Sequence, residues 1–170
     1  SRIISVIGAT GKVGSAVTSQ LLKNDFKVRA LSRNQEKLEM LKEKGAEIFP
    51  GEIENTSFLK ETLKGSDAVF VMLPPCYHLS NFREVFRQMA GSLTDAIRNS
   101  RVSHIVLLSS IGADLPSGTG QISSLYEFES MLKAVPDLSA VALRCAYFME
   151  NHLNSITLIK NAGINGSIIE

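Results

Sequence analysis

Short apolar runs alternate with helical patterns along most of the chain. Six of these runs have the length of a β-strand: Ile3–Ile7, Val28–Leu31, Ala46–Phe49, Ala68–Leu73, Ile105–Leu108 and Ala140–Leu143. Nearly continuous apolar strands separated by helices are typical of a parallel sheet covered by helices on both faces. The pattern therefore predicts a doubly wound α/β fold.

Apolar residues at intervals of three and four predict the helices between these strands. The longest such pattern runs from Phe82 to Ile97, and the last, from Tyr147 to Ile159, predicts a helix after the sixth strand. The segment 112–124 is rich in residues that favour turns, so we predict a mobile loop there. Because ligands bind beyond the carboxyl ends of parallel strands, this loop and residues 74–80 should border the functional site.

The first strand is joined to the first helix by Gly8, Gly11 and Gly14, which are spaced three apart. A tight turn requires the free backbone of Gly8, close approach to a phosphate favours Gly11, and Gly14 lets the helix lie close to the strand. The unpaired N–H groups and the dipole of this helix attract an anion at residues 10–13. The motif predicts a dinucleotide site in a Rossmann-like sheet, with a plain connecting turn as the alternative.

The residues after the second strand indicate which dinucleotide is bound. An NAD site usually has an acidic residue there, which binds the ribose 2′-hydroxyl. This chain has Ser32-Arg33 instead, followed one turn later by Lys37. Since a guanidinium binds phosphate oxygens with its planar fork, we expect NADP(H) in preference to NAD(H). The alternative is that Arg33 and Lys37 are solvated surface charges.

Composition and charge narrow the function classes. The chain has 18 basic and 17 acidic side chains among 170 residues, a net charge of +1 that does not favour nucleic acid as a partner. No apolar run approaches the roughly 20 residues that span a bilayer, and the start lacks a signal peptide pattern, so we expect a cytoplasmic protein without a membrane partner.

Cys76 and Cys145 are too few for a disulfide framework or a metal site, and Cys76, in a loop, is predicted to be the more reactive thiol.

Several segments together resemble the NmrA-like family of atypical short-chain dehydrogenases. They are Gly8–Gly14, Val28–Asn34, Gly51–Glu52, Gly65–Phe70 and Arg144–Asn151, and the resemblance extends through essentially the whole chain. It implies a Rossmann fold that binds NADP(H) or NAD(H), and a family that includes quinone reductases and redox-sensing regulators. It also implies a smaller substrate lobe. We expect residues 1–150 to form the NAD(P)-binding domain, and residues 151–170 to form the last helix and the start of a truncated or separately ordered lobe.

The resemblance also implies which residues form the cofactor site. The diphosphate would lie against the glycine turn, at Gly8, Thr10, Gly11, Lys12, Val13 and Gly14. The 2′-phosphate would be bound by Arg33 and Lys37, and adenine would be flanked by Glu52 and Ile53. The rest of the cofactor would lie against Leu73, Pro74, Tyr147 and Phe148. His78 is a candidate donor to a substrate oxygen, and Cys145, which stands where the family usually has proline, is expected to be buried.

The catalytic residues are less clearly marked. Short-chain dehydrogenases commonly use Tyr-x-x-x-Lys on a helix, in which the ammonium lowers the tyrosine pKa. Here Tyr126 is followed four residues later by Ser130. Atypical members of the group often have a lysine four residues before the glutamate at Glu129, where this chain has Leu125. Ser110 and Tyr126 are the candidate catalytic residues, and for Tyr126 a packing or cofactor-lining role is favoured.

Two functions remain open. The first is an NAD(P)H-binding oxidoreductase that transfers hydride to a quinone or a similar small acceptor, because such an acceptor needs little proton assistance from the protein. The second is a non-catalytic NADP(H) sensor that acts through protein partners, which the missing lysine favours. Epimerase or lyase chemistry needs a tyrosine–lysine pair and is disfavoured by Ser130.

Overall fold

Six parallel strands form one sheet, in the order β3-β2-β1-β4-β5-β6, in the computed structural model, which describes residues 2–74, 76 and 79–164. The strands are β1 (Ile3–Ile7), β2 (Lys27–Ser32), β3 (Glu47–Pro50), β4 (Ala68–Val71), β5 (His104–Ser110) and β6 (Ser139–Cys145). In the register, Val6 of β1 lies between Ala30 of β2 and Phe70 of β4. The strand order changes direction between β1 and β4, as in a Rossmann fold, so the predicted fold class is confirmed.

Six α-helices connect and follow the strands in the described part of the chain. They are α1 (Lys12–Lys23), α2 (Gln35–Lys42), α3 (Thr56–Leu63), α4 (Phe82–Ser100), α5 (Ser123–Lys133) and α6 (Ile156–Ala162). Asparagine side chains determine where two of them begin, because Asn34 Oδ1 accepts the N–H of Lys37 at 2.8 Å and Asn55 Oδ1 accepts that of Phe58 at 3.0 Å. None of the described helices is both long and apolar enough to cross a bilayer.

The two faces of the sheet carry separate apolar clusters. Val6 of β1 packs with Leu38 of α2 in one cluster, whereas the next residue, Ile7, packs with Leu93 of α4 and Phe128 of α5 in the other. This division follows from the two-residue period of a strand, which directs successive side chains to opposite faces. Each fully buried large side chain contributes about 1.5–3 kcal/mol, so the two clusters hold the strand ends in place.

The last part of the chain differs from the prediction. The single helix expected from Tyr147 to Ile159 is wrong: Met149–Ser155 forms a 3₁₀ helix, and α6 follows it. Phe148 is extended, with φ −72° and ψ 125°, so Tyr147 and Phe148 lie outside both helices. The segment 112–124 contains the 3₁₀ helix Gly120–Ile122 and the start of α5, and its mobility stays a prediction.

Strand β6 is less covered by the described residues than the expectation of a sheet covered on both faces implies. Val141 and Leu143 of this edge strand are 52% and 45% exposed. The fourth strand is also shorter than expected: β4 ends at Val71, and Met72, Leu73 and Pro74 leave the sheet at its carboxyl edge.

Candidate functional site

The turn after β1 is held by backbone contacts. Gly8 has φ +75°, a conformation that L side chains rarely adopt, and the N–H groups of Gly8 and Ala9 both donate to Leu31 O at 3.1 Å. A Cβ atom on Gly14 would lie 2.1 Å from Gly8 O. Helix α1 therefore packs directly on the turn, and Gly14 acts through this contact between backbones.

The N-terminus of α1 has the features of an anion site. Its first helical hydrogen bond runs from Ser15 N to Gly11 O at 2.9 Å, so the N–H groups of Lys12, Val13 and Gly14 precede the helical ladder. The first turn contains no acidic residue, and no side chain caps it. The dipole and Lys12 both favour a negative group here, so the glycine turn fits a diphosphate.

A cavity of about 280 Å³ lies at the carboxyl ends of β1 and β2. Six of the residues expected to bind the cofactor line it: Gly8, Thr10, Gly11, Arg33, Ile53 and Pro74. Lys37 and Glu52 are exposed and are not among the described lining residues of this cavity, so their roles stay predictions.

Sequence reasoning did not assign roles to other residues of this first cavity. They are Ser32, Gly51, Phe58 and Met72, among others. Gly51 and Phe58 depend on each other, because a Cβ on Gly51 would lie 2.6–2.8 Å from the Phe58 ring. The position of Ser32 directly before Arg33 was a usable signal, but nothing in the sequence places Phe58 against Gly51.

A second cavity, of about 870 Å³, lies beyond β4, β5 and β6. Most of its described lining is apolar, and Met72 lines both cavities, so the two adjoin. The remaining expected cofactor residues that line it are Lys12, Val13, Leu73, Tyr147 and Phe148. The rings of Tyr147 and His152 meet edge to face, with centroids 5.2 Å apart and planes at 65°, which orients Tyr147.

The structure separates the two candidate catalytic residues. Ser110 lines the second cavity, and its hydroxyl donates to Ile111 O at 3.1 Å. Tyr126 is not among the described lining residues, whereas Ser124 and Leu125 are. Successive side chains of a helix point about 100° apart, so α5 is oriented with Leu125, and not Tyr126, lining the cavity. His78, the candidate substrate residue, lies outside the described residues.

The two cysteines differ in burial. Cys76 is buried, and its Sγ donates to Phe82 O at 3.5 Å, whereas Cys145 is only partly buried. Both line the second cavity. The expectation of a buried Cys145 is wrong: this residue ends β6, whose residues are all exposed or only partly buried. That Cys76 is the more reactive thiol stays a prediction, which its burial does not favour.

An ion pair with a buried carboxylate lies behind the second cavity. Glu129 of α5 is 4% exposed and accepts hydrogen bonds from Arg144 of β6, at 2.7 and 3.1 Å, and from Ser109 of β5, at 2.7 Å. Burial raises the pKa of Glu129, but the hydrogen bonds from Arg144 and Ser109 and the charge of Arg144 lower it by more, so the net pKa is below its ordinary value. The pair fixes the end of β6 beside the cavity.

Comparison with known proteins agrees with this geometry. A family model described as NAD(P)H-binding matches residues 8–154. The chain belongs to this NAD(P)H-binding family. It is 27% identical over 161 residues to an NAD(P)H azoreductase of Xenophilus azovorans, covering 95% of this chain and 54% of that protein. It is 41% identical over 73 residues to an NmrA-like family domain-containing oxidoreductase of Aspergillus japonicus, covering 41% of this chain and 22% of that protein.

Solved structures show the same fold for this NAD(P)H-binding chain. A quinone oxidoreductase of Escherichia coli, solved with NADPH, superposes with a TM-score of 0.78 at 21% identity, covering 94% of this chain and 54% of that one. The chain thus spans about half the length of the azoreductase and of this structure. The resemblance to NmrA-like oxidoreductases is confirmed, and the chain is an NAD(P)H-binding member of an oxidoreductase family.

Proposed function

We propose that this protein binds NADPH across the two cavities and reduces a quinone, an azo compound or a similar small aromatic acceptor. The observation that carries the proposal is the arrangement of the cavities at the carboxyl edge of the sheet. One cavity is bordered by the glycine turn and Arg33, the other is mainly apolar, and they meet at Met72. A dinucleotide has the same division, with an anionic adenosine half and a flat nicotinamide half.

The residues of the first cavity would hold the phosphates. The N–H groups at the start of α1 would bind the diphosphate, and the Arg33 guanidinium would bind the 2′-phosphate. The glycines keep this wall open, since a Cβ on Gly11 would lie 2.8 Å from Met72 Cε and 3.3 Å from Gly8 O. Because Arg33 lines this cavity and Lys37 is not among its described lining residues, we assign the preference for NADP(H) to Arg33.

The residues of the second cavity would hold the acceptor beside the nicotinamide, which supplies a hydride when bound. Tyr147 and Phe148 present aromatic surface, and the hydroxyl of Ser110 lies on the same wall. Leu125 lines this cavity where a lysine would otherwise supply an ammonium group. A wall without an ammonium group at the position of Leu125 suits acceptors that take a hydride without strong proton assistance. The similarity to an azoreductase supports the same substrate class.

The activity is tested by following NADPH oxidation with a panel of quinones and azo dyes, and with simple aldehydes and ketones for comparison. We expect turnover with the first two classes and none with the carbonyl compounds. Binding of NADPH without oxidation above the rate in protein-free solution would overturn the proposal. That result would instead favour the sensor function, for which the exposed Val141 and Leu143 on β6 offer an apolar surface to a protein partner.

Substitution of Arg33 tests the choice of cofactor. Arg33→Ala should weaken NADPH binding roughly 10- to 100-fold, since a hydrogen bond to a charged group contributes about 1.5–3 kcal/mol, while NADH binding changes little. Titration calorimetry with both nucleotides measures this difference. Arg98→Ala is the control, because Arg98 is an exposed arginine on α4 that forms an ion pair with Asp95 at 3.9 Å. Equal losses for NADPH and NADH would contradict the assignment.

A further inference from the structure

Ser32 connects the three segments that surround the first cavity. Its Oγ lies 2.6 Å from Thr10 Oγ1 in the glycine turn and accepts the N–H of Asn34 at 3.3 Å. Its carbonyl oxygen accepts the N–H of Gly51 at 3.1 Å. Ser32 also lines the cavity itself, beside Arg33. One residue at the end of β2 thus ties together the diphosphate turn, the arginine turn and the turn after β3.

The hydroxyl hydrogen of Ser32 has two alternative acceptors. A hydroxyl oxygen can accept two hydrogen bonds and donate one. One lone pair of Ser32 Oγ accepts the N–H of Asn34. In one arrangement, the Ser32 hydroxyl donates a hydrogen bond to Thr10 Oγ1. In the other, it accepts a hydrogen bond from Thr10, and its own hydrogen is available to a different acceptor. Without an anion, either direction satisfies the pair. An anion in the cavity favours the second direction, in which Thr10 donates to Ser32 and Ser32 donates to the anion.

The backbone around Ser32 is fixed before any ligand is bound. Asn34 Oδ1 accepts the N–H of Lys37 at 2.8 Å, which caps α2 and holds the turn from Ser32 to Arg33. The N–H groups of Gly8 and Ala9 donate to Leu31 O, which holds the Thr10 side of the pair. A donor held in place by its surroundings loses little conformational freedom on binding, so its hydrogen bond retains more of its free energy.

We propose that Ser32 is a cofactor-binding residue that selects NADPH over NADH. Thr10 orients the Ser32 hydroxyl, which donates a hydrogen bond to the 2′-phosphate. This assignment rests on the proposed function and adds a second donor to Arg33. A hydrogen bond to a phosphate oxygen is charge-assisted and about twice as strong as one to a neutral hydroxyl, so the contribution is larger for NADPH than for NADH. Thr10 contributes indirectly, by leaving the Ser32 hydrogen free.

Titration calorimetry of Ser32→Ala with NADPH and NADH tests the assignment. We expect NADPH to bind roughly tenfold more weakly and NADH to change by less than about twofold, with the protein still folded at the temperature of the titration. Ser32→Thr, which keeps the hydroxyl, should restore NADPH binding to within about threefold. Ser103→Ala is the matched control: it removes a hydroxyl that bonds His104 Nδ1 at 2.8 Å, before the first residue of β5 and so at the opposite edge of the sheet.

The outcomes separate this assignment from the proposed function. Equal weakening of NADPH and NADH in Ser32→Ala, or no change for NADPH, would overturn the role of Ser32 even if the unaltered protein reduces quinones. Unaltered protein that binds NADPH but reduces no acceptor overturns only the proposed reaction, and the Ser32 comparison still decides the role of this residue. Unaltered protein that binds neither nucleotide overturns both.

Discussion

The substitution Gly14→Ala is expected to destabilise the protein by about 3 kcal/mol or more and to weaken nucleotide binding in parallel. The added Cβ would lie 2.1 Å from Gly8 O, 2.8 Å from Gly8 C and 2.9 Å from Ala9 Cα. All three are backbone atoms, so no change of rotamer relieves the contact. Helix α1 must move away from β1, and the N–H groups at its start move with it. Urea unfolding measures the stability, and calorimetry measures the nucleotide affinity.

Two other glycines provide controls for this prediction. Gly91 lies inside α4 with no atom within 4 Å of an added Cβ, so Gly91→Ala should stabilise the protein by about 0.5–1 kcal/mol. At Gly11 the nearest atom is the flexible Met72 Cε, and Gly11→Ala should cost less stability than Gly14→Ala. If Gly14→Ala and Gly91→Ala unfold at the same urea concentration, the packing of α1 on the turn is not what makes Gly14 necessary.

The strands and the glycine turn could be predicted because their signals are local. Ile3–Ile7 is apolar at every position except Ser5, and the glycines follow it at fixed spacing, so a few adjacent residues identify both. The end of the chain could not be predicted in this way. The apolar spacing from Tyr147 to Ile159 is compatible with one α-helix, but Tyr147 and Phe148 face a cavity formed by distant segments. A periodic pattern cannot distinguish contact with a cavity from contact with a helix face.

The candidate site depends more strongly on contacts between distant residues. Whether Leu125 or Tyr126 faces the second cavity is decided by the rotation of α5 against the sheet, which the sequence of α5 alone does not specify. The same holds for Glu129, whose partners Ser109 and Arg144 come from two strands. Arg144 and Glu129 were visible as features of the family resemblance, but their pairing needed the structure. The sequence therefore predicted the glycine turn from adjacent residues, whereas the arrangement of the second cavity needed the structure.

The ion pair between buried Glu129 and the more exposed Arg144 gives the second large expected effect. Glu129→Gln should destabilise the protein by about 2 kcal/mol at neutral pH. Glutamine keeps one acceptor oxygen, but its amide nitrogen would oppose a guanidinium N–H where Glu129 Oε2 now accepts Arg144 Nη2 at 2.7 Å. The expected loss is below the 3–5 kcal/mol typical of a fully buried pair because the Arg144 side chain is 37% exposed and water can solvate it. Urea unfolding at neutral pH measures the difference.

The loss in Glu129→Gln should also depend on pH, in a direction that its pKa fixes. The folded pKa of Glu129 is lower than its ordinary value, so the carboxylate stabilises the fold above the ordinary glutamate pKa of about 4.3. This stabilisation is lost as the pH falls through the folded pKa, and the two proteins should approach equal stability there. Glu127→Gln, two residues earlier on α5, is the control, because its pair with Arg87 is exposed and should contribute less than about 1 kcal/mol. A difference between the unaltered protein and Glu129→Gln that stays constant as the pH falls from neutral would mean that shape, and not charge, makes Glu129 necessary.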